Sequence, residues 1–127
     1  MRAREFIIED INLKDYTNLL AEFGFFITMN AARISDYAID PFAKQELINM
    51  QVQFKKPIVN GKTFVEVYND PLFYKNNKVI PVLLKYIYDM LKYIEPRLQK
   101  YLNDDGKTKF MPRIETIKQQ YKQVVQA

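Results

Sequence analysis

Residues 80–102 read I-P-V-L-L-K-Y-I-Y-D-M-L-K-Y-I-E-P-R-L-Q-K-Y-L, and their apolar spacing decides the fold class. Ile80, Leu83, Leu84, Ile87, Met90, Leu91, Ile94, Leu98, Tyr101 and Leu102 return every three or four residues. That interval lays them along one face of an α-helix. Pro81 falls in the first turn, where its missing N–H goes unused. Pro96 lies too deep for that and either kinks the helix or opens a second one. Asn103-Asp104-Asp105-Gly106 predicts its end.

Upstream, Asn12 has the chemistry of a helix N-cap, with Asp15 three residues on as the capping-box acid. Ile11 and Tyr16 occupy the positions of a hydrophobic staple. Tyr16, Leu19, Leu20, Phe23, Ile27, Ala31 and Ile34 then recur at helical spacing, so one long helix is expected to about Tyr37. Phe25, Phe26 and Met29 widen its apolar surface; a strand at Phe25–Met29 is the rival reading. A short apolar segment, Phe6-Ile7-Ile8, precedes this helix as a strand or an extended arm. Asp40-Pro41 restarts the chain as N-cap acid plus N1 proline, predicting a helix from Pro41 to Met50.

Beyond Met50 the period changes to two. Val52 and Phe54 alternate with Gln51, Gln53 and Lys55, and Phe64, Glu66 and Tyr68 alternate with Val65 and Val67. Asn60-Gly61 lies between these runs and suits a type I′ turn, so a β-hairpin is expected, with Pro57 confining its first strand to an edge. Asp70-Pro71 repeats the cap-plus-proline device and predicts a short turn of helix over Leu72, Phe73 and Tyr74. A last helix is expected from about Pro112, with Ile114, Ile117, Tyr121 and Val124 inward. The expected fold is therefore mainly α (α+β): about four helices in a compact single domain over 1–127, with one hairpin inserted near residues 51–68.

The 127 residues contain no Cys, no His and no Trp. Disulfides, thiolate nucleophiles, imidazole acid–base chemistry and Cys/His zinc sites are thereby excluded. Gly61-Lys62-Thr63 and Gly106-Lys107-Thr108 lack the glycine a phosphate-binding loop needs five positions earlier, where Lys56 and Tyr101 stand, so both are read as tight turns. Asp104 and Asp105 are turn neighbours facing water, and Asp89 and Glu95 lie too far around one helix to converge. No catalytic group, metal site or cofactor is expected. The longest apolar run, Leu19 to Met29, is too short for the ~20 residues that span a bilayer. The first residues lack the apolar stretch of a signal peptide. A cytoplasmic chain of a bacterial or phage-infected cell is expected. The opening M-R-A-R-E-F-I-I-E resembles the start of small proteins of marine tailed phages, which implies a phage or environmental origin and no function.

Two surface features remain. The formal charge of +4 is uneven: residues 1–42 hold four basic and seven acidic side chains, residues 43–127 fifteen and eight. Lys85, Lys92 and Lys100, each followed by Tyr, with Lys118 and Lys122, form a face that could hold phosphates and stack bases. Nine Phe and nine Tyr make up the second feature. A first helix apolar nearly all round is central in a larger core or half buried against a partner. A small non-enzymatic interaction or assembly protein is therefore expected, self-associating or binding another protein through Phe25, Phe26, Met29, Tyr86 and Tyr93. Nucleic-acid binding through the lysine face is the alternative, and no membrane contact is expected.

Overall fold

The computed structural model describes residues 11–125, apart from the side chains of residues 29–32. Phe6, Ile7, Ile8 and the Met29 side chain thus lie outside the described residues. Helix α1 spans Leu13–Phe25. It starts where Asn12, in extended backbone, accepts hydrogen bonds from the amides of Lys14 and Asp15. Two of the N–H groups that every helix start leaves unpaired are satisfied in this way. Tyr16, Leu19, Leu20 and Phe23 are buried, as is Ile11 before the cap. The chain then runs on through a π-helical turn, Phe26–Asn30, a short α2, Ala31–Ile34, and a 3₁₀ turn, Ser35–Tyr37. The helical path reaches Tyr37, and Phe25–Met29 is not a strand.

Asp40 caps α3, Pro41–Gln53, by accepting from the Ala43 amide at 2.7 Å. This helix outruns its expected end at Met50 and absorbs Gln51, Val52 and Gln53. The expected β-hairpin is absent: no strand occurs among the described residues, only isolated bridges. Asn60 and Gly61 do take positive φ, 50° and 73°, and Val59 and Lys62 pair across them. The turn is real but it joins helices. Thr63 accepts from the Glu66 amide while the Glu66 carboxylate accepts from the Thr63 amide, a complete capping box that opens α4, Phe64–Tyr68. Once helical, Phe64 and Val67 share a buried face, which a period of two conceals.

Helix α5, Pro71–Tyr74, follows the Asp70 cap. Helix α6, Ile80–Tyr101, buries the expected seam from Ile80 to Leu98 except for Met90, which is half-buried, and continues through Pro96. Proline cannot donate to the Lys92 carbonyl; one residue on, the Arg97 guanidinium donates to the Tyr93 carbonyl at 2.9 Å and stiffens that turn. Helix α7, Asp104–Val125, begins eight residues before the expected Pro112. The Asn103 side chain accepts from the Gly106 amide at 2.8 Å, and Asp104 and Asp105 complement the positive helix end. The second expected tight turn, at Gly106-Lys107-Thr108, is thus the first part of a helix.

Helix α7 packs on α1 and α6, and α3 packs on α6. A short bridge ties the two ends of this arrangement together. The Ile39 amide donates to the Tyr101 carbonyl at 2.9 Å, and the Asn103 amide to the Tyr37 carbonyl at 2.8 Å. Gly106 permits this approach, since a Cβ there would stand 2.7 Å from the Tyr37 Cβ. At the other side Phe64, 1% exposed, touches the rings of Phe23, Tyr68 and Tyr86 at centroid distances of 5.1–6.4 Å.

Two substitutions test this packing by urea unfolding. Gly106→Ala should lower stability by about 1–3 kcal/mol through overpacking. Phe64→Ala should cost about 3–5 kcal/mol, the range for emptying a buried phenylalanine site.

Candidate functional site

Two of the concavities on the surface of the described residues each contain part of what the sequence singles out. The larger, about 550 Å³, runs between α1 and α4. Helix α1 and the π turn supply Ala21, Glu22, Gly24, Phe25 and Thr28; α4 and the residue after it supply Phe64, Val65, Tyr68 and Asn69. Gly24 keeps the wall low, so that even a built Cβ there would only reach van der Waals distance, 3.4 Å, from the Phe64 ring. The Thr28 hydroxyl donates to the Gly24 carbonyl at 2.7 Å where the helix widens into its π turn.

Phe25 is 44% exposed on the rim of this groove and Val65 39% on the opposite rim. Phe25 lies two residues beyond buried Phe23, hence about 200° around the helix, and faces outward. Phe26 lies three residues beyond Phe23, returns to the inner face and is only 1% exposed. Phe26 is therefore a core residue and cannot line a contact in the folded chain. The Arg113 guanidinium stands over the Phe25 ring at 5.3 Å, and 3.9 Å from the Glu22 carboxylate.

The other aromatic candidates do not join Phe25. Tyr86 is half-buried against the Phe23 and Phe64 rings, 5.9 Å from each, behind the groove floor. Its hydroxyl is buried and has no hydrogen-bond partner among the described residues. Tyr93 lies farther along α6, half-buried beneath the Arg97 guanidinium at 3.7 Å. The groove instead recruits Val65, Tyr68 and Phe64, none of them singled out by sequence. The Thr63-x-x-Glu66 capping signature is the signal that reveals them, because it makes residues 64–68 a helix.

The smaller concavity, about 150 Å³, lies between α6 and α7. It brings together Lys92, Lys118 and Lys122 of the expected basic face, with Tyr88, Tyr121 and Glu95. Lys85 and Lys100 do not join them. Lys85 pairs with Asp89 at 2.9 Å, and Lys100 lies over the Tyr101 ring at 5.4 Å. Lys118 sits 3.1 Å from Glu95 and 3.3 Å from Glu115. The hydrogen bond to Glu95 is the main cause that raises its pKa above the ordinary lysine value. Lys92 covers the Tyr88 ring at 4.6 Å, and Tyr88 meets Tyr121 at 5.8 Å.

No group of three metal-ligating side chains converges among the described residues, and none of their helices is long and apolar enough to cross a membrane. Comparisons with family profiles, with curated proteins and with solved structures returned no match.

Burial pushes the Tyr86 and Tyr121 hydroxyls up to about 12 from the ordinary 10, with Tyr88 and Asp89 adding to the effect at Tyr121. In the unfolded chain both ionise near the ordinary value. Their contribution to stability is thus whole below about pH 10 and is lost as the pH rises toward about 12. Urea midpoints should hold steady up to about pH 9 and fall above about pH 10. Tyr86→Phe should lessen that fall, and at neutral pH raise stability by about 1 kcal/mol by removing an unpaired buried hydroxyl.

Proposed function

We propose that this chain is a small non-enzymatic interaction protein that assembles with copies of itself through the apolar groove between α1 and α4. One observation carries this reading. The groove, about 550 Å³, is flanked by two exposed apolar side chains, Phe25 and Val65, over an aromatic floor of Phe64 and Tyr68. A concave apolar site with few polar groups is the usual form of a binding pocket. Exposed apolar surface beside it marks a contact that removes that surface from water. Glu22 is the single ionisable carboxylate in the lining, so a partner displaces little bound water from charged groups.

Helix α3 also exposes apolar side chains, Phe42, Ile48 and Val52, but none of them lines either of the two concavities described above, so it is the weaker candidate. Nucleic-acid binding has less support still. Lys85 and Lys118 already face carboxylates, which offset the positive field that a phosphate backbone needs.

Sedimentation velocity at tens of micromolar should give a mass above that of one chain. Replacing both Phe25 and Val65 with Glu should weaken association at least about tenfold, as loss of central apolar anchors does. Far-UV helicity should stay unchanged, since both side chains are exposed. An unaltered mass for the double variant would set the groove reading aside.

A further inference from the structure

The turn between α3 and α4 joins an amide side chain to a backbone amide that can attack it. Asn60 and Gly61 are both exposed. The hydrogen bonds of the turn use their neighbours: the Lys62 amide donates to the Val59 carbonyl at 2.9 Å, and the Ile58 amide to the Lys62 carbonyl at 2.8 Å. The Gly61 amide and the Asn60 side chain make no hydrogen bond to another described residue. Glycine also has no Cβ to crowd the approach of its nitrogen to the preceding side chain.

The other asparagines with described side chains are held in ways that oppose this approach. Asn12, Asn76 and Asn103 keep their side-chain oxygens on backbone amides, at 2.8–2.9 Å. Asn18 and Asn49 lie inside α1 and α3, where the next amide is committed to the helix ladder. After Asn69 the next amide donates to the Val67 carbonyl at 3.0 Å, and after Asn77 to Asn76 Oδ1 at 2.8 Å. Among these residues only Asn60 combines an unengaged side chain, an unengaged amide after it and a glycine.

We infer that Asn60 is a site of self-modification, where the Gly61 nitrogen closes on the side chain and water converts asparagine to aspartate and isoaspartate. Water takes the Gly61 amide proton as the nitrogen bonds to Asn60 Cγ. The Cγ–Nδ2 bond breaks, and ammonia leaves with a proton returned to it. The product is a succinimide ring, which a second water opens at either carbonyl. Opening at Cγ gives aspartate; opening at the main-chain carbonyl gives isoaspartate, whose main chain runs through Cγ. Nothing is oxidised or reduced. The site is independent of the groove reading above.

The two products differ in what they do to the fold. Isoaspartate adds a carbon to the main chain between Val59 and Lys62, which pair across the turn. Thr63 follows Lys62 directly and opens the capping box of α4, so a displaced Lys62 loosens the start of that helix. Aspartate leaves the main chain unchanged and tolerates the left-handed backbone as asparagine does. Its carboxylate also lies just ahead of the positive end of α4.

The full chain is held at mildly alkaline pH, sampled over days, digested and read by mass spectrometry. The fragment holding Asn60 should exchange NH for O at least about tenfold faster than a fragment holding any other asparagine. Asn60→Gln should abolish that change, because its longer side chain closes a larger ring, and should leave the other fragments unaltered. Isoaspartate is read by methyl transfer from an isoaspartyl methyltransferase. The isoaspartyl form, separated by ion exchange, should unfold at lower urea than the parent, while Asn60→Asp should unfold close to it. Equal rates at Asn60 and at the capped asparagines overturn the site. An isoaspartyl form as stable as the parent overturns its coupling to α4.

Discussion

The ring of Phe64 is the contact on which the rest of this structure depends. Helix α4 is a little over one turn long, and a helix that short has no stability of its own. It persists because Phe64 places its ring among Phe23 of α1, Tyr86 of α6 and Tyr68 of its own turn. From Tyr68 the aromatic contacts continue to Tyr74 and then to Tyr16. Edge-on and stacked rings contribute beyond their buried area. This row converts the irregular stretch between α3 and α6 into a fixed wall. The same wall is the second side of the groove, so the packing of the core and the shape of the candidate site share one cause.

Electrostatics has a smaller part. Ion pairs among the described residues, Lys85 with Asp89, Arg113 with Glu22, and Lys118 with Glu95 and Glu115, lie at or near the surface. Pairs of that kind contribute at most about 1 kcal/mol each. They also lower the positive charge of the basic face, because they set carboxylates against two of its lysines, Lys85 and Lys118. On the rim of the groove the Arg113 guanidinium stands over Phe25 and beside Glu22, while Val65 is exposed on the other side. The proposed association through the groove rests on its apolar surface, because covering Phe25 and Val65 would remove that surface from water.

Much of the helical framework was legible in the residues. Asn12, Asp40 and Asp70 announce helix starts because each short polar side chain finds the free amides just ahead of it. The α6 seam is legible because ten apolar residues repeat at one interval. The region 51–68 misleads for a stated reason. Alternation over five residues fits a strand and also a single helical turn, and Asn60-Gly61 turns the chain whichever elements flank it. Thr63 and Glu66 carry the deciding information, through hydrogen bonds that lock both ends of the first turn. Asn103 likewise opens α7 in a run of turn-forming residues. Residues favoured in turns are favoured at caps by the same chemistry.

The sequence by itself determined that this chain is mainly helical, and that cysteine and histidine chemistry is closed to it. It also determined where most helices begin, because caps and apolar spacing act over three or four residues. Tertiary structure alone decided which aromatic residues meet and which face water. Phe25 and Phe26 are alike in composition and adjacent in the chain, yet one rims a groove and the other fills the core. Lys118 and Glu95 are twenty-three residues apart and still form a pair. Periodicity states which face of a helix is apolar; what lies across from that face is set by contacts between residues far apart in the chain, and those contacts make the groove.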